Sequence, residues 1–129
     1  MKGKSKILVV DDDMEMRKAL QFFLKKKGFD VHLAKDASEA CIQFGIDSYD
    51  LVITDILMPG ITGLNLIRML QQMTGNVEFI VITGADSSEN RDEAKTLGAS
   101  GYFVKPFETD KLLEVIETII TSKAGEARC

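Results

Sequence analysis

Residues 6–13 read KILVVDDD, an apolar run that changes abruptly into three consecutive acids. Lys6 to Val10 is rich in β-branched residues and shows no alternation of polar and apolar side chains, which is typical of a strand covered on both faces. Strands are covered in this way when helices lie on either side of a parallel sheet. The stretch therefore predicts a buried strand with a cluster of carboxylates at its carboxyl end.

Strand and helix patterns alternate along the rest of the chain. The further predicted strands are residues 30–34, 50–54, 78–82 and 100–104, and the predicted helices cover about 14–27, 37–44, 62–73, 87–97 and 108–121. Five strands alternating with five helices predict one α/β domain with a parallel sheet and right-handed crossovers. The fourth helix has only Ala94 and Leu97 as clearly apolar residues. We expect it to pack thinly, either as a peripheral helix or as an element that shifts at low cost.

Size and composition exclude several classes of protein. The chain has 129 residues, a net charge of -4 and two cysteines, Cys41 and Cys129. The excess of acidic over basic residues argues against nucleic-acid binding by this chain. The apolar runs, of at most four residues, are too short to cross a membrane. We expect a cytoplasmic protein with reduced thiols, residues 1–122 forming the domain and residues 123–129 a tail or the start of a linker.

Polar residues follow the strands at their carboxyl ends, the edge where ligands bind in open parallel sheets. Asp11 and Asp12 follow the first strand, Asp55 the third, Thr83 the fourth and Lys105 the fifth. A third acid beside the first pair, residue 13, is well placed to cap the following helix. The joint pattern predicts that these side chains converge.

Three neighbouring carboxylates repel one another and either share protons or hold a cation. An all-oxygen cluster suits Mg²⁺. Lys105 precedes Pro106, which restricts it to an extended conformation pointing toward the acids. An ammonium group, the Thr83 hydroxyl and a cation around Asp55 would form a site for a phosphoryl group, with an aspartate as the nucleophile.

The ordered set resembles the receiver domain of two-component response regulators. The matching stretches are ILVVDDD, ITDILMPGITG, VITGAD and GASGYFVKPF, and they span nearly the whole chain. The resemblance implies a flavodoxin-like fold, a doubly wound five-stranded sheet of order 2-1-3-4-5 with five helices.

The resemblance also implies a role for each matching residue. Asp55 would accept the phosphoryl group. Asp12, with Asp11 partly through water, would hold Mg²⁺ together with Asp55 and the backbone carbonyl of Leu57, and Mn²⁺ is expected to substitute. Lys105 would pair with the phosphoryl oxygens.

The family's switch is implied in the same way. Thr83 would bond a phosphoryl oxygen, Tyr102 would turn inward with it, and the Lys105–Pro106 peptide would be cis. The surface formed by the fourth helix, fifth strand and fifth helix would change and could support a phosphorylation-dependent dimer. Leu57 and Ala85 occupy positions that tune the life of the aspartyl phosphate, and neither side chain can position water.

Implied partners are a sensor histidine kinase or histidine phosphotransfer protein and a downstream effector domain or protein. The only histidine, His32, lies on the second predicted strand, so the donor histidine would belong to a partner. The receiver would be regulatory, catalysing only its own phosphorylation and dephosphorylation. Two alternatives remain: a phosphorylation-independent interaction module on this fold, and a haloacid-dehalogenase-type phosphohydrolase with its nucleophile after the first strand.

Overall fold

The computed structural model describes the backbone of residues 3–128 and the side chains of residues 3–123. Cys129 therefore lies outside the described residues. The elements in chain order are β1 (Lys6–Val10), α1 (Met14–Lys26), β2 (Asp30–Ala34), α2 (Ala37–Ile46), β3 (Leu51–Thr54), α3 (Gly63–Thr74), β4 (Phe79–Thr83), α4 (Ser88–Leu97), β5 (Gly101–Val104) and α5 (Thr109–Arg128). They form a five-stranded parallel sheet in the order β2-β1-β3-β4-β5, which confirms the predicted fold.

Each face of the sheet is covered by its own apolar layer. On β1, Leu8 and Val10 join the layer that contains buried residues of α2, α3 and α4. Ile7 and Val9 point to the other face, where buried residues of α1 and α5 pack. Successive side chains of a strand point to opposite faces. The continuous apolar run of β1 is thus explained by a core on both sides.

Helix α1 begins and ends at residues whose chemistry suits those positions. The side chain of Asp13 accepts a hydrogen bond from the backbone N–H of Glu15, which confirms the predicted N-cap. At the other end Gly28 has a φ of 96°, a conformation that favours glycine. The Gly28 N–H donates to Lys25 and that of Phe29 donates to Leu24, so the last carbonyls are satisfied.

Two helix ends differ from the sequence prediction. Helix α5 continues to Arg128 rather than ending near residue 121, and α2 includes Gly45, which had been expected to follow it. The apolar repeat stops before residues 122–128 (SKAGEAR), but alanine, glutamate, lysine and arginine extend an existing helix readily. The apolar repeat indicates which part of a helix packs, whereas local propensity decides how far the helix continues.

Helix α4 packs as thinly as predicted. Ala94 is its only buried residue, at 1% exposure. Polar contacts supply much of its attachment to α3: Glu93 pairs with Arg68, and the Gln71 side chain donates to the carbonyl of Leu97 at 3.0 Å. A helix with a single buried apolar side chain shifts at lower cost than one anchored by several.

Among the described residues, no helix combines the length and apolar character that crossing a membrane would require.

Candidate functional site

Strand register brings two acids side by side. Val10 on β1 pairs with Thr54 on β3, so the residues that follow them, Asp11 and Asp55, leave the sheet at the same height. The backbone N–H of Asp55 donates to the carbonyl of Val10 at 3.1 Å, which extends the pairing by one residue. The two carboxylates are therefore neighbours because the strands that carry them are neighbours.

Lys105 follows β5, at the edge of the sheet, and its side chain reaches the same two acids. Its backbone N–H donates to the carbonyl of Thr83 at 2.9 Å, which continues the pairing of β4 and β5 beyond Val104. Its Nζ lies 3.0 Å from Asp11 Oδ2 and 2.9 Å from Asp55 Oδ2. The Lys105–Pro106 peptide is cis, as the resemblance implied. One ammonium group thus bridges the two acids.

The remaining oxygens of these acids bond to backbone N–H groups. Asp55 Oδ1 accepts from Ile56 at 2.6 Å, and Asp11 Oδ1 accepts from Asp13 at 3.0 Å. The two residues are only 8% and 3% exposed. Both carboxylates are therefore held in fixed orientations by bonds from the backbone on one side and from Lys105 on the other.

Burial and pairing act in opposite directions on this group of charges. Burial raises the pKa of Asp11 above its ordinary value, and the bonds from Asp13 and Lys105 only reduce that shift. At Lys105 burial favours the neutral amine, but the hydrogen bonds that its ammonium donates to Asp55 and Asp11 outweigh it and raise the pKa. The lysine therefore stays charged, while Asp11 resists ionisation. An added cation would relieve that resistance.

Three carboxylates are placed to share a metal ion. One oxygen from each of Asp11, Asp12 and Asp55 lies within 4.8 Å of the others, with Asp12 exposed and its two partners buried. A hard cation such as Mg²⁺ prefers oxygen ligands of this kind and keeps several waters, for which the exposed side of the cluster leaves room. The residues present fit a magnesium site.

The other predicted residues do not all join this cluster. Thr83 is fully buried, and its hydroxyl accepts a hydrogen bond from Ala85 at 3.0 Å. Within the described residues, no hydrogen bond joins the Thr83 hydroxyl to the acids or to the Lys105 side chain. Tyr102 points away from the site and donates to Asp86, and the side chain of Leu57 is 62% exposed.

Two residues that the sequence did not single out support the site. A Cβ added to Gly63 would lie 1.8 Å from the carbonyl oxygen of Asp55, so only glycine lets α3 begin so close to that backbone. Arg17 donates to the carbonyl of Asp11 at 2.7 Å and fixes the peptide between the first two acids. A glycine in a first turn and an arginine on an amphipathic helix are too common to reveal such contacts from sequence.

Comparison with known proteins identifies the class. Residues 7–117 match the family model described as "Response regulator receiver domain". The chain belongs to this family, whose members are regulatory domains of two-component systems. The acid cluster at the sheet edge agrees with that assignment.

Several relatives share the domain. The chain is 35% identical over 115 residues to response regulator MprA of Mycolicibacterium vanbaalenii, covering 89% of this chain and 50% of the relative. It is 35% identical over 128 residues to transcriptional regulatory protein FixJ of Bradyrhizobium diazoefficiens, covering 99% of this chain and 62% of the relative. The chain thus spans about half to three fifths of the length of these curated relatives.

A solved structure of similar size also matches. The response regulator TrrA of Thermotoga maritima, in complex with Mg(2+)-BeF, has a TM-score of 0.79 and 34% identity, covering 89% of this chain and 98% of that one. A CheY-like receiver domain protein from Methanospirillum hungatei gives a TM-score of 0.90 at 27% identity, covering 96% and 99%.

Proposed function

We propose that the protein is a phosphorylation-activated switch that accepts a phosphoryl group on Asp55 from a phosphohistidine of a partner protein. The observation that carries this proposal is the environment of Asp55. Its carboxylate is 8% exposed, bonded to Lys105 at 2.9 Å, and grouped with two further acids. An aspartate with these neighbours can react with phosphorus while its surroundings neutralise the incoming charge.

In the proposed reaction, a carboxylate oxygen of Asp55 forms a bond to phosphorus. The bond between phosphorus and the donor's leaving group breaks at the same centre, and the leaving group departs with the electron pair. Lys105 bridges Asp11 and Asp55 before reaction, so its ammonium lies where the phosphoryl oxygens arrive. Its raised pKa keeps it charged throughout the physiological range.

The metal requirement follows from the charge of the cluster. Asp11, Asp12 and Asp55, with the backbone carbonyl of Leu57, would hold Mg²⁺, and Mn²⁺ is proposed as a substitute. When bound, the ion supplies positive charge that neutralises the phosphoryl oxygens. The residues of the chain hold the carboxylates in place, since their other oxygens bond to Ile56 and Asp13.

Output is proposed to depend on Thr83 and Tyr102. Thr83 would turn its hydroxyl from Ala85 to a phosphoryl oxygen, and Tyr102 would move inward into the space released. The exposed face of α4, β5 and α5 would change with them and contact an effector domain or protein, or a second phosphorylated copy. The donor is proposed to be a sensor histidine kinase or a histidine phosphotransfer protein, and the switch is proposed to act in the cytoplasm.

The phosphoryl group is proposed to be lost slowly or at an intermediate rate. Leu57 and Ala85 flank the site, and neither side chain has a polar group that could position an attacking water. A half-life of seconds or less in a phosphate-release assay would contradict this proposal.

The central test is phosphorylation by a small donor. The wild-type protein and Asp55→Asn are incubated with Mg²⁺ and acetyl phosphate or phosphoramidate, and the intact mass is measured. We expect one added phosphoryl group in the wild type and none in the variant. Asp13→Asn is the matched control, because asparagine caps a helix as well as aspartate and residue 13 lies outside the acid cluster.

The outcomes separate the candidate functions. A phosphoryl group on both wild type and Asp55→Asn rules out Asp55 as the acceptor. No phosphoryl group on either protein, with the fold intact by circular dichroism, favours a phosphorylation-independent interaction module. Rapid turnover of phosphate esters would favour a phosphohydrolase, since a receiver domain turns over essentially none.

A further inference from the structure

Tyr102 is half-buried against the apolar layer of α2, α3 and α4, and it also contacts two polar residues of the neighbouring loop and helix. Its hydroxyl donates to Asp86 Oδ1 at 3.2 Å. The guanidinium of Arg91 lies 5.3 Å from the centre of its ring, in cation–π geometry. Arg91 is also bonded to Asp86 through two nitrogens, at 2.7 and 2.9 Å. We call this pair, Asp86 and Arg91, the Tyr102 clamp.

The clamp lies between the proposed site and the proposed output surface. Asp86 follows Thr83 by three residues in the loop that leads to α4, and Arg91 lies on the first turns of α4. That helix has Ala94 as its only buried residue, so little apolar packing fixes its position. The loop after β4, helix α4 and the ring of Tyr102 are therefore linked by polar contacts.

The charges of the clamp are stable at neutral pH. Arg91 holds the pKa of Asp86 below its usual range, so the carboxylate stays ionised and able to accept. Burial, together with the hydrogen bond to Asp86, raises the pKa of Tyr102, so its hydroxyl stays protonated and able to donate. All three groups are thus in the states that the contacts require.

We propose that Asp86 and Arg91 are positioning residues that hold Tyr102 outward and thereby oppose activation, setting how much phosphoryl binding is needed to turn the switch. This inference rests on the proposed function, in which Tyr102 moves inward when Asp55 is phosphorylated. Inward movement breaks the bond to Asp86 and removes the ring from Arg91. The clamp therefore stabilises the inactive arrangement alone.

Thermodynamic linkage makes the proposal measurable. Removing the clamp should raise the equilibrium constant for inward movement of Tyr102. Ligands that bind only the protein with Tyr102 inward should then bind more tightly by the same factor. The clamp is exposed, with 56% of the Arg91 side chain and 33% of the Asp86 side chain accessible. Exposed ion pairs contribute little free energy. We therefore expect the loss of the clamp to raise the affinity for a phosphoryl analogue by only about two- to fivefold.

A second exposed ion pair on α4 provides the matched control. Glu93 pairs with Arg68 on α3, and its side chain is 39% exposed, close to that of Asp86. Glu93→Gln removes a negative charge and an ion pair from the same helix but leaves the clamp intact. It thus separates the effect of the clamp from a general loosening of α4.

The experiment uses Tyr102 as its own probe. The sequence has no tryptophan and two tyrosines, so a Tyr49→Phe parent leaves Tyr102 as the only tyrosine. Asp86→Asn, Arg91→Ala and Glu93→Gln are made in this parent. Two quantities are measured for each protein: acrylamide quenching of tyrosine fluorescence without ligands, and the affinity for beryllofluoride, a phosphoryl analogue, in the presence of Mg²⁺.

The expected results differ from those of simple electrostatics or unfolding. Without ligands, Tyr102 becomes less accessible to acrylamide in both clamp variants, whereas a merely loosened α4 would make it more accessible. Both variants bind beryllofluoride about two- to fivefold more tightly. Arg91→Ala is the decisive one, because losing a positive charge should by itself weaken anion binding. Glu93→Gln matches the parent in both measurements.

Each contrary result counts against a specific statement. Unchanged or greater quenching of Tyr102 in both clamp variants overturns the clamp, whether or not the anion binds. An equal change in Glu93→Gln also overturns it, because α4 as a whole would then be responsible. Failure of the Tyr49→Phe parent to bind beryllofluoride or to gain a phosphoryl group from acetyl phosphate instead contradicts the proposed function, and the quenching data still decide where Tyr102 is held.

Discussion

Two parts of the molecule, both built from the carboxyl end of the sheet, are held in opposite ways. At the acid cluster, Asp11 and Asp55 are nearly buried and bonded on both sides. On the flank formed by α4, the Tyr102 hydroxyl and one face of its ring are held by the exposed side chains of Asp86 and Arg91, although the half-buried ring also packs against the core. Each part uses charged residues, yet only in the first are those charged residues themselves buried.

The difference follows from what each part has to do. A site for phosphoryl transfer benefits from fixed charges, because groups that are already aligned cost no reorganisation during reaction. A switch needs two arrangements of similar free energy, and weak exposed contacts keep the difference small. If this comparison is correct, changes at the acid cluster should disturb the fold strongly and changes at α4 only slightly.

The largest effect is expected from Gly63→Ala. The added Cβ would lie 1.8 Å from the carbonyl oxygen of Asp55, and a backbone atom cannot move aside cheaply. We expect the free energy of unfolding to fall by about 3 kcal/mol, measured by urea denaturation. Phosphorylation by acetyl phosphate should slow as well, because the start of α3 and the backbone of Asp55 must separate.

Gly45→Ala is the control for that variant. Gly45 lies in α2, with nothing within 4 Å of an added Cβ. Alanine should stabilise this helix by about 0.5 to 1 kcal/mol. If both substitutions destabilise the protein equally, the close approach of Gly63 to Asp55 does not constrain the fold.

A second comparison tests the packing of two helices directly. Leu70 of α3 is fully buried, so Leu70→Ala should cost about 3 kcal/mol. Leu97 of α4 is only partly buried, and Leu97→Ala should cost about 1 kcal/mol. Urea denaturation of both variants measures the difference, and equal costs would show that α4 is anchored as firmly as α3.

Lys105→Met tests the electrostatic side of the comparison. Removing the ammonium leaves Asp11 and Asp55 buried without an opposite charge, although Lys105 itself is 21% exposed. In EDTA we expect the free energy of unfolding to fall by about 1.5 kcal/mol, which is less than the cost of breaking a fully buried ion pair. Mg²⁺ should restore part of it, since a cation replaces the missing charge.

Lys95→Met provides the counterpart on α4. Lys95 lies in the last turn of that helix and is exposed, so its removal should change stability by less than about 0.5 kcal/mol. A larger loss for Lys95→Met than for Lys105→Met would reverse the comparison between the two parts.

The smallest effect concerns pH. The pKa of Asp11 is raised in the folded chain, so the folded state binds this proton more tightly than the unfolded state. The stability that comes from this tighter proton binding is fully present below pH 3.8, the ordinary pKa of the carboxyl group. It is lost as the pH rises through the raised pKa of Asp11 in the folded protein. Asp11→Asn should therefore become more stable relative to the wild type as pH rises, measured by denaturation in EDTA. A constant difference across pH would show that burial does not control Asp11.

Most of the fold was predictable because its signals are local. Short apolar runs marked the strands, and the repeat of apolar residues marked the helices, with errors only at ends such as those of α2 and α5. Asp13 and Gly28 were recognised from their chemistry at helix ends, since caps depend on neighbouring residues in the chain. The extension of α5 was missed because the apolar repeat stops before residues 122–128, whereas the backbone of the helix continues to Arg128.

The acid cluster was predictable for a different reason. In a parallel sheet every strand ends at the same edge, so the residues after the strands are brought together once the topology is known. This rule placed Asp11, Asp55 and Lys105 at one edge, and the strand order implied by the resemblance to receiver domains made them neighbours. The supporting contacts of Gly63 and Arg17 could not be inferred, because they depend on the close approach of segments that do not pair.

By itself, the sequence determined the order of the elements, the two-sided burial of the sheet and the set of acids with a lysine at one edge. It could do so because hydrophobic period and strand order are properties of the chain. Only the tertiary structure decided that Lys105 bridges both acids, that Gly63 lies against the backbone of Asp55, and that Asp86 and Arg91 contact Tyr102. Those contacts depend on distances of a few ångströms between segments far apart in sequence.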